Sequence, residues 1–351
     1  RRDADGQFYV AGIAVAQEGS DSGVANWVLA QKRIRINGAT VVWDDARRGA
    51  PPLILENLNF ALDNQGRQHR FGLTALPPAE LASKVDLRGD LQGKNVAHTA
   101  SWHGRIFAQI DYADLAIWST WLDYPIALPH GRGAVRAWAG FADGNLSELT
   151  ADLSLDDVNL RLARHLPALE LDHMSGRIGA RFSQGRVSVD GQRVELVTRR
   201  LRGESDALLE SIHIEPTDFR VDWQRPAEGS SVRGSLTAST LELAALAGLA
   251  AYLPLDTGSR QLLNDYAPRG RVSELRASFQ GDAEGLQSYA LKSSFHDLAL
   301  RPRDQMPGIS GFSGSLDASE QGGTVQLRSQ KVGIEFPDVL PESAIALETL
   351  T

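Results

Sequence analysis

The sequence predicts a mainly β chain of repeated antiparallel meanders with a few short helices, and three observations predict it. Apolar and polar residues alternate along most of its 351 residues, the period-2 pattern of strands with one dry and one wet face. Turn-forming residues separate the alternating runs. One short phrase also recurs, as Asn57-Leu58-Asn59-Phe60-Ala61-Leu62, Asp157-Val158-Asn159-Leu160-Arg161-Leu162 and Asp297-Leu298-Ala299-Leu300. The last two copies sit in longer matching blocks, since Pro167 and Pro307 each follow the phrase's aliphatic residue by nine positions. Gly185 and Gly323 likewise each follow a glycine, Gly176 and Gly314, by nine. Repeats of this kind stack into arrays instead of closing into one globule.

In chain order the runs are Ile34/Ile36, Val41/Trp43, Leu53/Leu55, the first phrase, Val85/Leu87, Ile106/Ala108/Ile110, Leu153/Leu155 with the second phrase, Val187/Val189, Val194/Leu196, Ile212/Ile214, Phe219/Val221/Trp223, the third phrase, Val325/Leu327 and Ile334/Phe336. Turns are expected at Asn37-Gly38, Asn64-Gln65-Gly66, Asp143-Gly144, Asp190-Gly191 and Gly322-Gly323. Between Leu155 and Val158 the apolar phase slips by one residue. A β-bulge there would return the side chains to one face and bend the strand.

Two segments leave the strand rhythm. Asp114 to Leu122 sets Leu115, Trp118, Trp121 and Leu122 at helical spacing, with Pro125 as the stop. Ser239-Thr240-Leu241-Glu242 fits a capping box opening a helix that carries Leu243, Leu246, Leu249 and Leu253 up to Pro254. Each is followed by a glycine-led strand, Gly131-Arg132-Gly133 and Arg269-Gly270-Arg271, so the helices read as copies. An insertion around Gly258 to Tyr266 reads as a short extra helix. The resulting division is a partial unit over 1–110, a unit over 111–238 and a truncated unit over 239–351. Because the final residues echo Leu169 to Ser175 and stop, the chain is expected to be an internal fragment of a longer array.

Composition excludes several functions. Lys and Arg number 36 against 44 Asp and Glu, a net charge of -8 without a basic cluster, which argues against nucleic acid as a partner. With no cysteine there is no disulfide framework, thiolate metal site or thiol nucleophile. The longest apolar stretch, Leu241 to Leu253, is too short to cross a hydrocarbon core of about 30 Å.

Candidate chemistry is sparse. His165 and His173, near Asp156, Asp157 and Asp172, form no recognised ligand spacing, so no metal or cofactor is expected. The pairs Asp44-Asp45 and Asp156-Asp157 point to opposite faces of a strand and suit turns or bulges better than paired catalysis. Gly308 to Gly314 lacks the lysine and helix of a phosphate loop. The larger question is what covers an apolar face too wide for two short helices. The sheet must curl on itself, pack on another sheet or enclose something apolar. Leu58, Phe60, Leu62, Leu153, Leu155, Val158, Leu160, Leu162, Leu298 and Leu300 would make either a dry core or the wall of a groove. Trp118 and Trp121 would either plug the sheet at its bend or sit at a headgroup boundary.

Several stretches resemble the AsmA-like family of Gram-negative envelope proteins, in its YhdP branch. They are Trp43-Asp44-Asp45 to Leu53, Arg70-Phe71-Gly72-Leu73 to Gly89, Asp111-Tyr112-Ala113-Asp114-Leu115 to Asp123, and the helix-then-strand module Leu243 to Gly270. The resemblance implies an elongated, curled antiparallel sheet, a taco-like groove with an apolar interior, and no enzyme activity. It implies a periplasmic segment, tethered to the inner membrane by a transmembrane helix outside this fragment, that conducts phospholipid between the inner and outer membranes. The ten residues above would then be the lipid-contacting wall. The alternative is a structural or adhesive β-repeat spacer with a packed core; a carbohydrate-active protein would need carboxylates converging in a pocket.

Overall fold

A computed structural model describes residues 1–10, 13–16, 23–94, 101–122, 127–183, 185–199, 211–224, 232–253, 255–282, 285–303, 306–336 and 344–350. The expected stops Pro125 and Pro254 lie outside them. The chain is mostly strand, and it separates into two compact units, Arg1–Leu160 with His173–Phe182 and Arg161–Asp172 with Ser183–Thr351.

The first unit opens with a small hairpin, β1 (Phe8–Val10) and β2 (Ile13–Ala16), and helix α1 (Gly23–Ala30). A meander follows: β3 (Arg33–Trp43), β4 (Leu53–Gln65), β5 (Gln68–Leu76), β6 (Val85–Gln92) and β7 (His103–Asp114). The one-turn helix α2 (Leu115–Trp118) then leads to β8 (Ala127–Ala142) and β9 (Asn145–Arg161). From β4 to β8 each strand pairs antiparallel with its predecessor.

Strand β10 (Leu169–Ser183) contributes residues to both units. The second unit continues with β11 (Arg186–Thr198), β12 (His213–Gln224), β13 (Val232–Glu242), α3 (Leu243–Leu249) and α4 (Thr257–Tyr266). Its remaining strands are β14 (Arg269–Asp282), β15 (Gly285–Leu300), β16 (Gly308–Ser319), β17 (Gly322–Leu327), β18 (Ser329–Glu335) and β19 (Ala344–Leu350). They too form an antiparallel meander. Strands β17 and β18 both pair with β16, one on each half of it.

The strands are longer than the alternating runs suggest, because two expected turns lie inside strands. Asn37-Gly38 falls in the middle of β3 and Asp190-Gly191 in the middle of β11. Gly38 has φ 61° at a register shift between Ile36 and Ala39. The left-handed backbone that suits Asn-Gly to a hairpin suits it equally to a bulge. Gly191 has another reason: a Cβ there would lie 2.2 Å from the Phe219 ring of the neighbouring strand. Phe71 over Gly89 and Phe279 over Gly234 repeat this aromatic-on-glycine pairing.

The recurring phrase proves to be a bulge motif. Its first residue has left-handed backbone in all three copies, with φ 47° at Asn57, 52° at Asp157 and 50° at Asp297. Arg193, Glu274 and Lys331 do the same in β11, β14 and β18. At β9 the slip places both Leu155 and Val158 in the interior, at 4% and 1% exposure. A bulge frees a backbone N–H, and polar side chains on adjacent strands take it up. Gly38 N donates to Asn59 Oδ1 (3.1 Å), Arg193 N to Asp218 Oδ1 (2.7 Å), Asp297 N to Ser313 Oγ (3.1 Å) and Ser313 N to Ser329 Oγ (2.9 Å).

The helices differ from their sequence patterns. Helix α2 is a single turn capped by Asp114, whose Oδ1 accepts from Ile117 N at 3.1 Å. The capping box at Ser239 does not form, because β13 continues through Glu242. Ser239 Oγ instead accepts from Asp218 N at 3.0 Å, and Glu242 pairs with Arg271 at 2.5 Å. The ladder of β13 with β14 therefore claims Glu242, and the neighbouring β12 claims the Ser239 hydroxyl. The extra helix does form as α4, with Asp256 accepting from Ser259 N at 2.9 Å.

Replacing Asp218 by Ala should strip the acceptor from Arg193 N and cost about 1–2 kcal/mol, read as a lower urea midpoint at unchanged m-value. Gly89→Val should cost about 1–3 kcal/mol by overpacking against Phe71, and Phe71→Ala in the same chain should recover part of the loss.

Candidate functional site

Residues paired across antiparallel strands share a face, so the registers assemble the apolar surface directly. In the first unit one row runs Ile36, Phe60, Leu73, Leu87, Ala108, Ala137 and a second runs Ile34, Leu62, Phe71, Gly89, Ile106, Ala139. A third row is Ala75, Val85, Ile110, Val135. Most of these side chains are only half-buried. At one end of the strands the face is closed by a dry cluster. Leu53, Leu81, Ala82 and Ala113 are buried there, with Trp43, Leu55, Ile110, Leu115, Trp118 and Trp121 packed on them.

The two tryptophans of α2 and its following turn belong to that plug. Their rings meet edge to face at 6.3 Å. Each indole N–H is satisfied within the protein, Trp118 Nε1 by Leu81 O at 3.2 Å and Trp121 Nε1 by Pro51 O at 3.1 Å.

The second unit has its own apolar face. One row is Val189, Val221, Leu236, Ala277, Leu291, Ala318, and another is Leu241, Val272, Phe295, Gly314, Leu327. A shorter row joins Leu300, Ile309, Ile334 and Ile345. Among the described residues four buried side-chain atoms lack a hydrogen-bond partner, on Arg2, Asn159, Ser188 and Arg260, and none belongs to these rows.

The opposite faces are ionic. In the first unit Arg33, Asp63, Arg70, Asp90 and Arg105 pair in register across five strands, alternating in sign. Asp63 meets Arg33 at 2.9 Å and Arg35 at 2.8 Å, and Asp90 meets Arg70 at 3.0 Å. Hydrogen bonds from Arg35 and Arg33 hold the Asp63 carboxyl below the usual carboxylate range. Gln68 and then Arg70 do so for Asp90, and Arg177 for Asp152. Beside this row Arg88 lies over Phe107, Phe107 packs on Trp138 and Arg177 lies over Trp138. In the second unit Lys292 pairs with Asp317 at 3.0 Å.

The ten wall residues named from sequence fall as follows. Leu58 and Leu62 are buried and Phe60 half-buried, on the apolar face of β4. In β9, Leu155, Val158 and Leu160 are buried and Leu153 half-buried. Leu298 and Leu300 lie half-buried on the apolar face of β15, opposite Phe312 and Ile309. Leu162 lies past the end of β9 and is 38% exposed. Leu73, Leu87, Ile106 and Leu291 form the centres of the rows but are absent from that set. Their signal was the alternation itself, which repeats within every strand and not only in the thrice-written phrase.

Of the carboxylates noted in the sequence, Asp45, Asp156 and Asp157 are engaged by neighbouring groups. Asp45 is 2% exposed, accepts from Arg48 N at 3.3 Å and lies 3.7 Å from Arg2. Asp156 bonds His173 at 2.7 Å and Asp157 bonds Arg132 at 2.7 Å, while His165 is exposed. Among the described residues no cluster of three metal-ligating side chains occurs, and no helix is long and apolar enough to cross a membrane.

The family described as YhdP protein matches residues 1–350 of the chain. No curated protein and no solved structure matches the chain.

Because Asp63, Asp90 and Asp152 are held ionised below their ordinary range, their contribution to stability is complete above the unfolded carboxylate pKa near 4. It should vanish as pH falls through their lower folded values, seen as a melting temperature that drops on acidification below about pH 4. Trp118→Ala should remove about 3 kcal/mol by emptying the plug, measured by chemical denaturation.

Proposed function

Because the chain belongs to the YhdP family, we propose that its apolar faces hold phospholipid acyl chains and pass them along a periplasmic route between inner and outer membranes. The observation that carries this reading is the state of the rows. Side chains such as Phe60, Leu73, Leu87 and Ile106 are uniformly apolar yet half-exposed, whereas a finished sandwich core would bury them. No unpaired buried polar atom interrupts them, so an acyl chain would meet no group that demands a hydrogen bond.

The mechanism is desolvation without covalent chemistry, and the protein acts as a conduit, not an enzyme. Each methylene moved from water onto the face gains about 0.8 kcal/mol. Rows of similar aliphatic side chains make successive positions nearly equal in energy, which lets a chain shift from strand to strand. The charged face supports the same role: with its carboxylates bound to arginines in register, it stays solvated and fixes which side of each strand is apolar. Leu58, Phe60, Leu62, Leu153, Leu155, Val158, Leu160, Leu162, Leu298 and Leu300 remain proposed wall residues, with Leu73 and Leu87 added as the most direct contacts of the first unit.

The competing reading, a β-repeat spacer with a dry core, is favoured by the buried set Leu155, Val158 and Leu160 in β9. The two separate at half-buried positions. A photo-crosslinking side chain at Leu87 should capture phospholipid in cells, and one at Arg88, on the charged face, should not. Leu87→Arg should abolish capture at Phe60 with about 1 kcal/mol or less of destabilisation, since its site is not fully enclosed. Capture equal at Leu87 and Arg88, or at neither, would leave the spacer.

A further inference from the structure

At the hairpin end of β4 and β5 the apolar face of the first unit ends in two polar side chains, Asn64 and His69, which are cross-strand partners. Asn64 follows Leu62 on the same face and is 8% exposed; His69 is 4% exposed. The Asn64 amide nitrogen donates to Val28 O at 3.0 Å, in the last turn of α1, and to Gln31 O at 2.6 Å just after it. Its backbone N donates to Lys32 O at 2.9 Å. With the nitrogen so committed, the atom turned towards His69 is the acceptor Oδ1, 2.7 Å from Nδ1. The other ring nitrogen, Nε2, faces a second acceptor, Gly93 O, at 3.2 Å.

A neutral imidazole has one N–H and one lone pair, so in either tautomer it would turn a lone pair against an oxygen here. Only a ring with both nitrogens protonated donates to both, and hydrogen bonds from a charged donor are the stronger kind. Its flat side is stacked on Trp102, with centroids 5.3 Å apart and planes 26° apart, as suits a cation on an indole. Among the described residues no carboxylate bonds His69. Asp63, Arg70 and Asp90, the charged groups of the adjoining strands, pair on the opposite face, and Lys32 and Lys94 are exposed.

We propose that His69 is a proton-operated latch: doubly protonated, it orients Asn64 and so ties the C-terminal end of α1 to the hairpin end of the apolar face. Loss of the proton sets a lone pair against one of the two oxygens and loosens α1. The latch holds while the ring carries both protons and slackens when one is lost. That it also gates lipid at that end rests on the conduit reading; the latch itself does not.

The test uses the full chain without lipid. Nitrogen NMR of histidine-labelled protein should show both His69 ring nitrogens protonated at pH 5.5. Amide protection factors in α1 should fall roughly tenfold between pH 5.5 and 8, as for loss of one charge-assisted hydrogen bond, while those of β13 to β15 stay constant. In His69→Gln the α1 protection should be independent of pH. A single protonated nitrogen at pH 5.5, or flat α1 protection in the unaltered protein, overturns the latch; neither needs the variant to fold. Phospholipid capture at Leu87 should rise with pH in the unaltered chain only. Absence of capture at every pH would defeat the conduit while leaving the exchange measurement to judge the latch.

Discussion

Every feature of this chain depends on one constraint, the strict alternation of side chains across a strand, and on its correction wherever the chain slips. A strand of a dozen or more residues keeps its aliphatic side chains on one face only if each single-residue slip is matched by a bulge. The left-handed residues at Asn57, Asp157, Arg193, Glu274, Asp297 and Lys331 supply that match. Without it, Leu298 and Leu300 would point away from Leu291 and Phe295, and the apolar rows of β15 would end at Phe295. The freed amides are then bound by Asn59, Asp218, Ser313 and Ser329, so bulging leaves no unpaired backbone donor at these points.

The two faces that alternation creates have opposite roles. One carries in-register arginine and aspartate, whose mutual hydrogen bonds keep the carboxylates ionised and engaged. Exposed ion pairs contribute little to stability singly, but a row of alternating sign penalises any register in which like charges would meet. The other face is aliphatic and short of cover. The Trp118 and Trp121 plug closes one end of it in the first unit, while Asn64 and His69 end the other in polar groups.

Much was legible in the residues. The β class, the meander, the slip at Leu155 to Val158 and the extra helix near Tyr266 all follow from period, turn residues and phase. Where the reading departed from the structure, one local signal served two geometries. Asn37-Gly38 satisfies a hairpin turn and a bulge alike, and Ser239 with Glu242 satisfies a helix cap and a strand ladder alike. In each case pairing with the neighbouring strand decided, since the ladder satisfies many backbone groups and a cap only one or two.

The amino-acid sequence by itself determined which side of each strand is apolar and, between Leu155 and Val158, that the phase must be corrected, because both depend only on residue order along one strand. Which apolar residues stand in one row was decided by the tertiary structure, through registers spanning residues as distant as Ile36 and Ala137. So was the setting of His69: nothing adjacent to it in sequence reveals that both ring nitrogens face oxygens, since Asn64 is fixed by α1 and Gly93 arrives from the end of β6. Hydrogen-bond roles are properties of a three-dimensional neighbourhood, and the period of a strand is a property of the chain.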